Sequence, residues 1–167
     1  GQAKAMVVTS GRKAAYKYYN AFNQYIVDKG YQNIKPLVAF SGKLKVDGTE
    51  VTEVSTNGFS EDELPEKFNT DSYQVLLVAN KYQTGFDQPK LVAMYVDKKL
   101  QGVTVVQTLS RLNRTFKGKT KTIVLDFVNS YDEIEEAFSK YYTTTKLIRD
   151  INPRDIFKLK QKIDIRN

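Results

Sequence analysis

The chain has 167 residues, 41% hydrophobic and 27% charged, which fits one ordinary globular domain with a short appendage and does not read as a disordered chain. It has no cysteine and no histidine, so disulfides, zinc fingers and histidine acid–base catalysis are excluded within it. The balance of 26 Lys+Arg against 19 Asp+Glu gives a net charge of +7, which suits a polyanionic partner, and residues 143–167 hold seven basic and three acidic side chains, a net +4.

In chain order, Ala5–Thr9 reads as a buried strand, and Ser10 fits the N-cap of a helix. Ala15, Tyr18, Tyr19, Phe22 and Ile26 recur at helical spacing, so both tyrosines are read as core, and Gly30 ends the run. Leu37–Phe40 is a second apolar strand closing on Ser41-Gly42. The polar stretch 43–59 is expected to be a loop or small hairpin. Ser60-Glu-Asp-Glu63 matches a capping box and opens a short helix that includes Phe68. Val75–Ala79 is a continuous apolar run, as in a parallel strand covered on both faces, and 80–90 is a polar loop. Leu91–Val96 is a strand, 103–113 is helical in period, and Ile123–Phe127 is a strand. Ile134, Ala137, Phe138 and Tyr141 mark a further helix, and Pro153 starts one over 154–163. This alternation predicts an α/β fold: a parallel β-sheet with right-handed crossovers and helices on both faces. Ligands in such sheets bind at the carboxyl ends of strands, which directs attention to the loops after residues 9, 40, 79 and 96. No apolar run approaches the ~20 residues that cross a bilayer, and no leader is evident, so the expected location is cytoplasmic, with no membrane partner.

The helix at 103–114 carries the functional argument. Val105, Leu109 and Leu112 are spaced i, i+4, i+7, and so are Gln107, Arg111 and Arg114. At ~100° per residue the two sets lie on opposite sides, so one face packs on the sheet and the other presents an amide and two guanidinium groups in a row. The chain uses Lys for 20 of its 26 basic residues, so paired Arg is not compositional habit. The planar guanidinium fork matches phosphate oxygens as an ammonium does not.

Gln107-Thr-Leu-Ser-Arg111-Leu-Asn-Arg114 resembles motif VI of superfamily 2 helicases and translocases. Thr84-Gly-Phe-Asp87 resembles their motif V, and the opening strand with Ser10-Gly-Arg12 resembles motif IV. A narrower resemblance runs over residues 5–142. The strings Thr84-Gly-Phe-Asp-Gln-Pro-Lys-Leu91, Tyr95-Val-Asp97, Gln107 to Arg114 and Leu125-Asp-Phe-Val-Asn129 are similar to the motor (R) subunit of type I restriction enzymes. Ser110, where the wider superfamily often has Gly, fits that branch better than the RNA-helicase branch.

The resemblance implies that residues 1–142 form the second RecA-like motor domain of a P-loop NTPase, without a Walker A loop. Residues 143–167 would be the basic, helical start of a following domain or linker. By the same resemblance Arg111 and Arg114 contact the γ-phosphate of ATP, Gln107 orients them, Gly85 lets backbone approach the nucleotide, and Asp87 accepts from the ribose, although a plain turn residue is its other reading. Thr84, Ser10, Arg12, Ser41 and Gly42 are candidates for DNA-backbone contacts, with a helix cap as the equal reading for Ser10. Such contacts give salt-dependent binding without base readout.

The chain has no G-x-x-x-x-G-K-[ST] loop, no Asp-Glu pair placed for Mg²⁺ and no nuclease centre; Asp97-Lys-Lys99 is too common a string to count as one. No metal site is therefore expected in it. ATP and Mg²⁺ are expected to be held mainly by a preceding motor domain. The implied partners are double-stranded DNA, the preceding motor and nuclease domains of one polypeptide, and the modification and specificity subunits of a restriction complex. The chain by itself is expected to be inactive. Two other readings stand beside this one: the C-terminal domain of another superfamily 2 DNA or RNA helicase, and a non-catalytic nucleotide- or phosphate-binding α/β module. Asp126 is read as a strand-end residue holding a neighbouring loop, and Asp132, Glu133, Glu135 and Glu136 as the solvated N-terminal face of a helix.

Overall fold

The computed structural model describes residues 3–82 and 86–140. Five strands form the main sheet: β1 (Lys4–Thr9), β2 (Pro36–Ala39), β5 (Val75–Val78), β6 (Leu91–Asp97) and β7 (Ile123–Asp126). Their order is β2-β5-β1-β6-β7, and every neighbouring pair is parallel. The apolar runs that gave no alternation in sequence are thus strands with both faces covered: β2 is buried at all four positions and β5 at three of four.

Strand periodicity divides the core. Met6, Val8, Leu76, Val78, Met94 and Val96 point to one face and Val7, Val38 and Leu77 to the other. Helix α1 (Arg12–Asp28) covers the second face through Ala15, with Tyr16, Tyr18, Tyr19 and Phe22 packed around it. The first face is covered by α3 (Leu64–Asn69), α4 (Val103–Leu109) and α5 (Tyr131–Ser139), which contribute Leu64, Phe68, Val105, Leu109, Ala137 and Phe138. Fully burying a Val, Leu or Phe side chain contributes about 1.5–3 kcal/mol, and the larger of the two buried clusters lies on this face. The predicted layering, with helices on both faces of a parallel sheet, is the one observed.

Local chemistry explains most boundaries. α1 ends in a Schellman arrangement: Gly30 is left-handed (φ 66°), its N–H donates to the Val27 carbonyl at 3.0 Å, and Tyr31 N–H donates to Ile26 at 3.0 Å. Its start corrects the expected cap. Gly11, in extended backbone, occupies the N-cap position and Ser10 makes no capping bond. The polar stretch after β2 holds a hairpin of β3 (Lys43–Val46) and β4 (Thr49–Thr52). Asp47 and Gly48 both take positive φ at its tip, as a two-residue hairpin turn requires. α2 (Glu53–Asn57) follows, and the Ser60–Glu63 box is present: the Glu63 carboxylate accepts from Ser60 N–H at 3.0 Å. It opens a 3₁₀ turn, Glu61–Glu63, that runs into α3.

The chain leaves β1 toward β2 on one side and leaves β6 toward β7 on the other. The adjacent carboxyl ends of β1 and β6 are therefore the topological switch point of the sheet. Tyr18 closes part of it, donating its hydroxyl to Asp97 Oδ2 at 2.7 Å. That bond, with burial and the Asp97 charge, pushes the Tyr18 phenol up. Among the described residues no helix is long and apolar enough to cross a membrane.

Candidate functional site

The segment predicted as one two-faced helix is two structures. α4 ends at Leu109, and Ser110–Asn113 winds as a 3₁₀ helix. A 3₁₀ turn advances ~120° per residue, so residues three apart eclipse. This tighter winding draws Arg111 toward the line of buried Thr108 and away from the line of exposed Gln107. The expected row of Gln107, Arg111 and Arg114 on one solvent face is therefore broken. Arg111 is 9% exposed, and only Gln107 and Arg114 face solvent.

The burial of Arg111 is incomplete chemically. Its Nε donates to the Gln107 carbonyl at 3.3 Å, and its Nη1 has no partner among the described residues. Burial pulls its guanidinium below the usual arginine range. Gln107, expected to orient the arginines, thus holds Arg111 by its backbone oxygen. Leaving one N–H group of a buried cation without an acceptor is costly, more so than the ~1–3 kcal/mol of a neutral unpaired group.

Arg114 ends the 3₁₀ turn in extended backbone, φ −68° and ψ 131°, which swings its side chain outward. Its Nε lies 3.1 Å from Asp87 Oδ1. The two residues come from resembling motifs 27 positions apart in sequence, and the fold makes them an ion pair. Asp87 is presented by its neighbours. Phe86 packs against Tyr82 and Phe68, with ring centroids 4.8 and 6.1 Å away, and Gln88 is buried with its Oε1 accepting from Lys90 N–H at 3.2 Å. With both neighbours anchored inward, Asp87 projects. Asp87 lies in the loop after residue 79, one of those the fold rule singled out, whereas Arg114 lies in the connection between α4 and β7. Thr84 and Gly85 lie outside the described residues, as do Tyr141 and the basic segment 143–167.

A second cluster does form at strand exits. Arg12 reaches from the first turn of α1 to the end of β2, where Nη1 donates to the Ser41 carbonyl at 3.3 Å. Gly42 follows in left-handed backbone (φ 76°), and a Cβ there would stand 3.0 Å from the same Arg12 nitrogen. Arg12, Ser41 and Gly42 are thus one exposed group. Ser10 is exposed at the end of β1 and makes no bond to them, while buried Thr9 ties that end to β5 by donating to the Val78 carbonyl at 2.9 Å.

Sequence reasoning missed Glu53. It is 1% exposed, accepts from Phe40 N–H at 2.8 Å, and lies 2.9 Å from Lys81 Nζ. Lys81 also reaches Glu61 at 2.6 Å. Glu53 therefore joins the exit of β2, beside Ser41, to the exit of β5. Its Oε1 has no partner among the described residues. Burial pushes its carboxyl up against the opposing pull of Lys81. For Lys81, burial pulls down but the bonds to Glu61 and Glu53 prevail and raise it. A glutamate paired 28 positions away carries no local signal.

Known proteins share this architecture. The C-terminal domain of the DEAD-box protein Dbp5 superposes with a TM-score of 0.51 at 14% identity, over 87% of this chain and 73% of that one. A substituted Saccharomyces cerevisiae Dbp5 C-terminal domain, bound to Gle1 and IP6, gives 0.55 at 18% identity, over 98% and 84%. The fold is that of the RecA-like C-terminal domains of helicases. The sequence likeness is narrower. Residues 48–129 match the family model for type I restriction enzyme subunit R domain 3. The type I restriction enzyme HindI endonuclease subunit of Haemophilus influenzae is 27% identical over 177 aligned positions, which take in 97% of this chain and 16% of that protein. The chain is thus similar to one part of type I restriction enzyme endonuclease subunits, and it spans less than a fifth of the length of these relatives.

Proposed function

We propose that the chain is the second motor domain of an ATP-dependent double-stranded DNA translocase, within the R subunit of a type I restriction enzyme. The observation that carries this reading is the pairing of a buried, acceptor-seeking Arg111 with an exposed Arg114 held on Asp87. The residues suit ATP. Guanidinium groups match phosphate oxygens in geometry and charge, and a carboxylate beside them can accept from a ribose hydroxyl. Bound ATP supplies a transferring phosphoryl group whose negative charge grows in the transition state, where an arginine does most. Arg111 is preorganised by its tie to Gln107. Arg114 is held in place by Asp87 until a phosphate competes for it.

In this reading the phosphate cradle, the Mg²⁺ ligands and the nuclease belong to other domains of the polypeptide. No group of three or more His, Cys, Asp or Glu able to hold a metal occurs among the described residues, so no step is assigned to a metal here. Arg12, Ser41 and Gly42 offer a guanidinium and two small residues for a DNA backbone at the β1 and β2 exits. Thr84, Gly85 and Ser10 keep their proposed roles at the DNA and the nucleotide. Modification and specificity subunits complete the complex, which is cytoplasmic.

The test is Arg114→Ala in the full-length protein, with DNA-stimulated ATP hydrolysis as the readout. Turnover is expected to fall by about 10³-fold or more. Unchanged turnover would leave a non-catalytic phosphate-binding module as the reading. Stimulation by RNA in place of DNA would move the protein to another helicase branch.

A further inference from the structure

The Asp87–Arg114 pair joins two stretches of irregular backbone, and an exposed ion pair alone is worth too little to hold them in register. A third residue spans both. Lys119 Nζ donates to the Leu112 carbonyl at 2.7 Å, to the Arg114 carbonyl at 2.8 Å and to the Pro89 carbonyl at 3.2 Å. An ammonium has three N–H donors, and here each has a backbone acceptor. Leu112 and Arg114 flank the exit of the 3₁₀ turn, and Pro89 lies two residues beyond Asp87.

The delivery of Lys119 is also specified. The chain reverses over Phe116–Lys119, with Lys119 N–H donating to the Phe116 carbonyl at 3.0 Å. Gly118 supplies the left-handed backbone (φ 86°) that this turn needs at its third position. Burial lowers the Lys119 ammonium, in keeping with a cation drawn off the surface onto carbonyl dipoles.

We propose that Lys119 is a positioning residue for phosphoryl-transfer chemistry: it clamps the backbone of Arg114 to the segment carrying Asp87 and so sets where the Arg114 guanidinium stands. It touches neither the guanidinium nor the carboxylate. The inference rests on the motor reading above. It goes beyond that reading by giving a positioning task to a lysine outside the resembling motifs.

The test uses the full-length protein and DNA-stimulated ATP hydrolysis, comparing Lys119→Met, Lys119→Arg, Arg114→Ala and the double variant Arg114→Ala/Lys119→Met. A misplacement of about an ångström can cost ~10²-fold in rate. K119M is therefore expected to lower kcat by about 10- to 10²-fold while KM for ATP stays within about 3-fold. K119R keeps donors for the carbonyls and is expected to recover most of the loss. The double variant is expected to be no slower than R114A alone, because the clamp has nothing left to place. If K119M destabilises the protein, Gly118→Ala, which strains the turn and keeps the charge, is expected to lower kcat in the same selective way. Wild-type kcat in K119M beside a slow R114A overturns the clamp and leaves the motor reading standing, and so does a double variant whose losses multiply. Unchanged turnover in R114A overturns the motor reading and the clamp with it.

Discussion

Lys81 stands between two carboxylates of different character. Glu61 is half-exposed, whereas Glu53 is almost wholly buried and already titrates above the usual carboxylate range. Removing one partner of a buried pair leaves the other uncompensated, a loss of about 3–5 kcal/mol. Lys81→Met is expected to cost that much at neutral pH. The sign of its pH dependence follows from Glu53. Without Lys81, the folded-state value rises further above the unfolded one. The contribution of the neutral acid is then fully present below the unfolded carboxylate value and is lost as pH rises through the folded one. The deficit of K81M, measured by urea denaturation, should shrink on going from about pH 8 to about pH 5. A deficit that does not vary with pH would mean that Glu53 is not the group responsible. Residue-level roles of this kind were the least legible in sequence. Arg114 and Asp87 were marked by their motifs, but Glu53, Lys81 and Lys119 act through partners that only the fold brings near.

Among the elements, α5 shows what local chemistry can decide. Ser130 caps it, accepting from Glu133 N–H at 3.3 Å, while the Glu133 carboxylate accepts from Ser130 N–H at 2.9 Å. Glu133 is further held by Lys99 at 2.5 Å, and these bonds keep its carboxyl below the usual range. Asp132 and Glu133 lie in the first turn, as the solvated acidic face was read to do. Behind the cap, Asp126 Oδ1 accepts from Val128 and Asn129 N–H at 2.9 and 2.8 Å, the loop-holding role expected of it. Ser130→Ala is expected to cost about 1 kcal/mol in urea denaturation, because α5 is only nine residues long and buries Ala137 and Phe138. A cost below about 0.3 kcal/mol would show that packing alone sets the start of this helix. The spacing Ser130-x-x-Glu133 was a readable signal of the same kind as Ser60-x-x-Glu63. α4 is the contrary case. Its apolar periodicity is continuous to Leu112, and nothing in the spacing announces the change to 3₁₀ winding after Leu109.

At the scale of the whole molecule, the described residues supply two arginines and a carboxylate but no metal cluster. In the motor reading, turnover needs a second domain. The purified 167-residue chain is expected to show no ATP hydrolysis above background, with or without DNA, and measurable turnover would refute the division of labour. Sequence by itself determined the class of fold. Both periodicities are local, so strands, helices, the parallel layering and the resemblance to R subunits could be read from spacing and motif. Tertiary structure decided which motif residues act together. It buried Arg111, because a 3₁₀ turn rotates side chains by more per residue than the helix that was expected. It brought Arg114 to Asp87 and let Lys119 bind both backbones, because hydrogen bonds between distant segments depend on where chains cross and not on how residues are spaced.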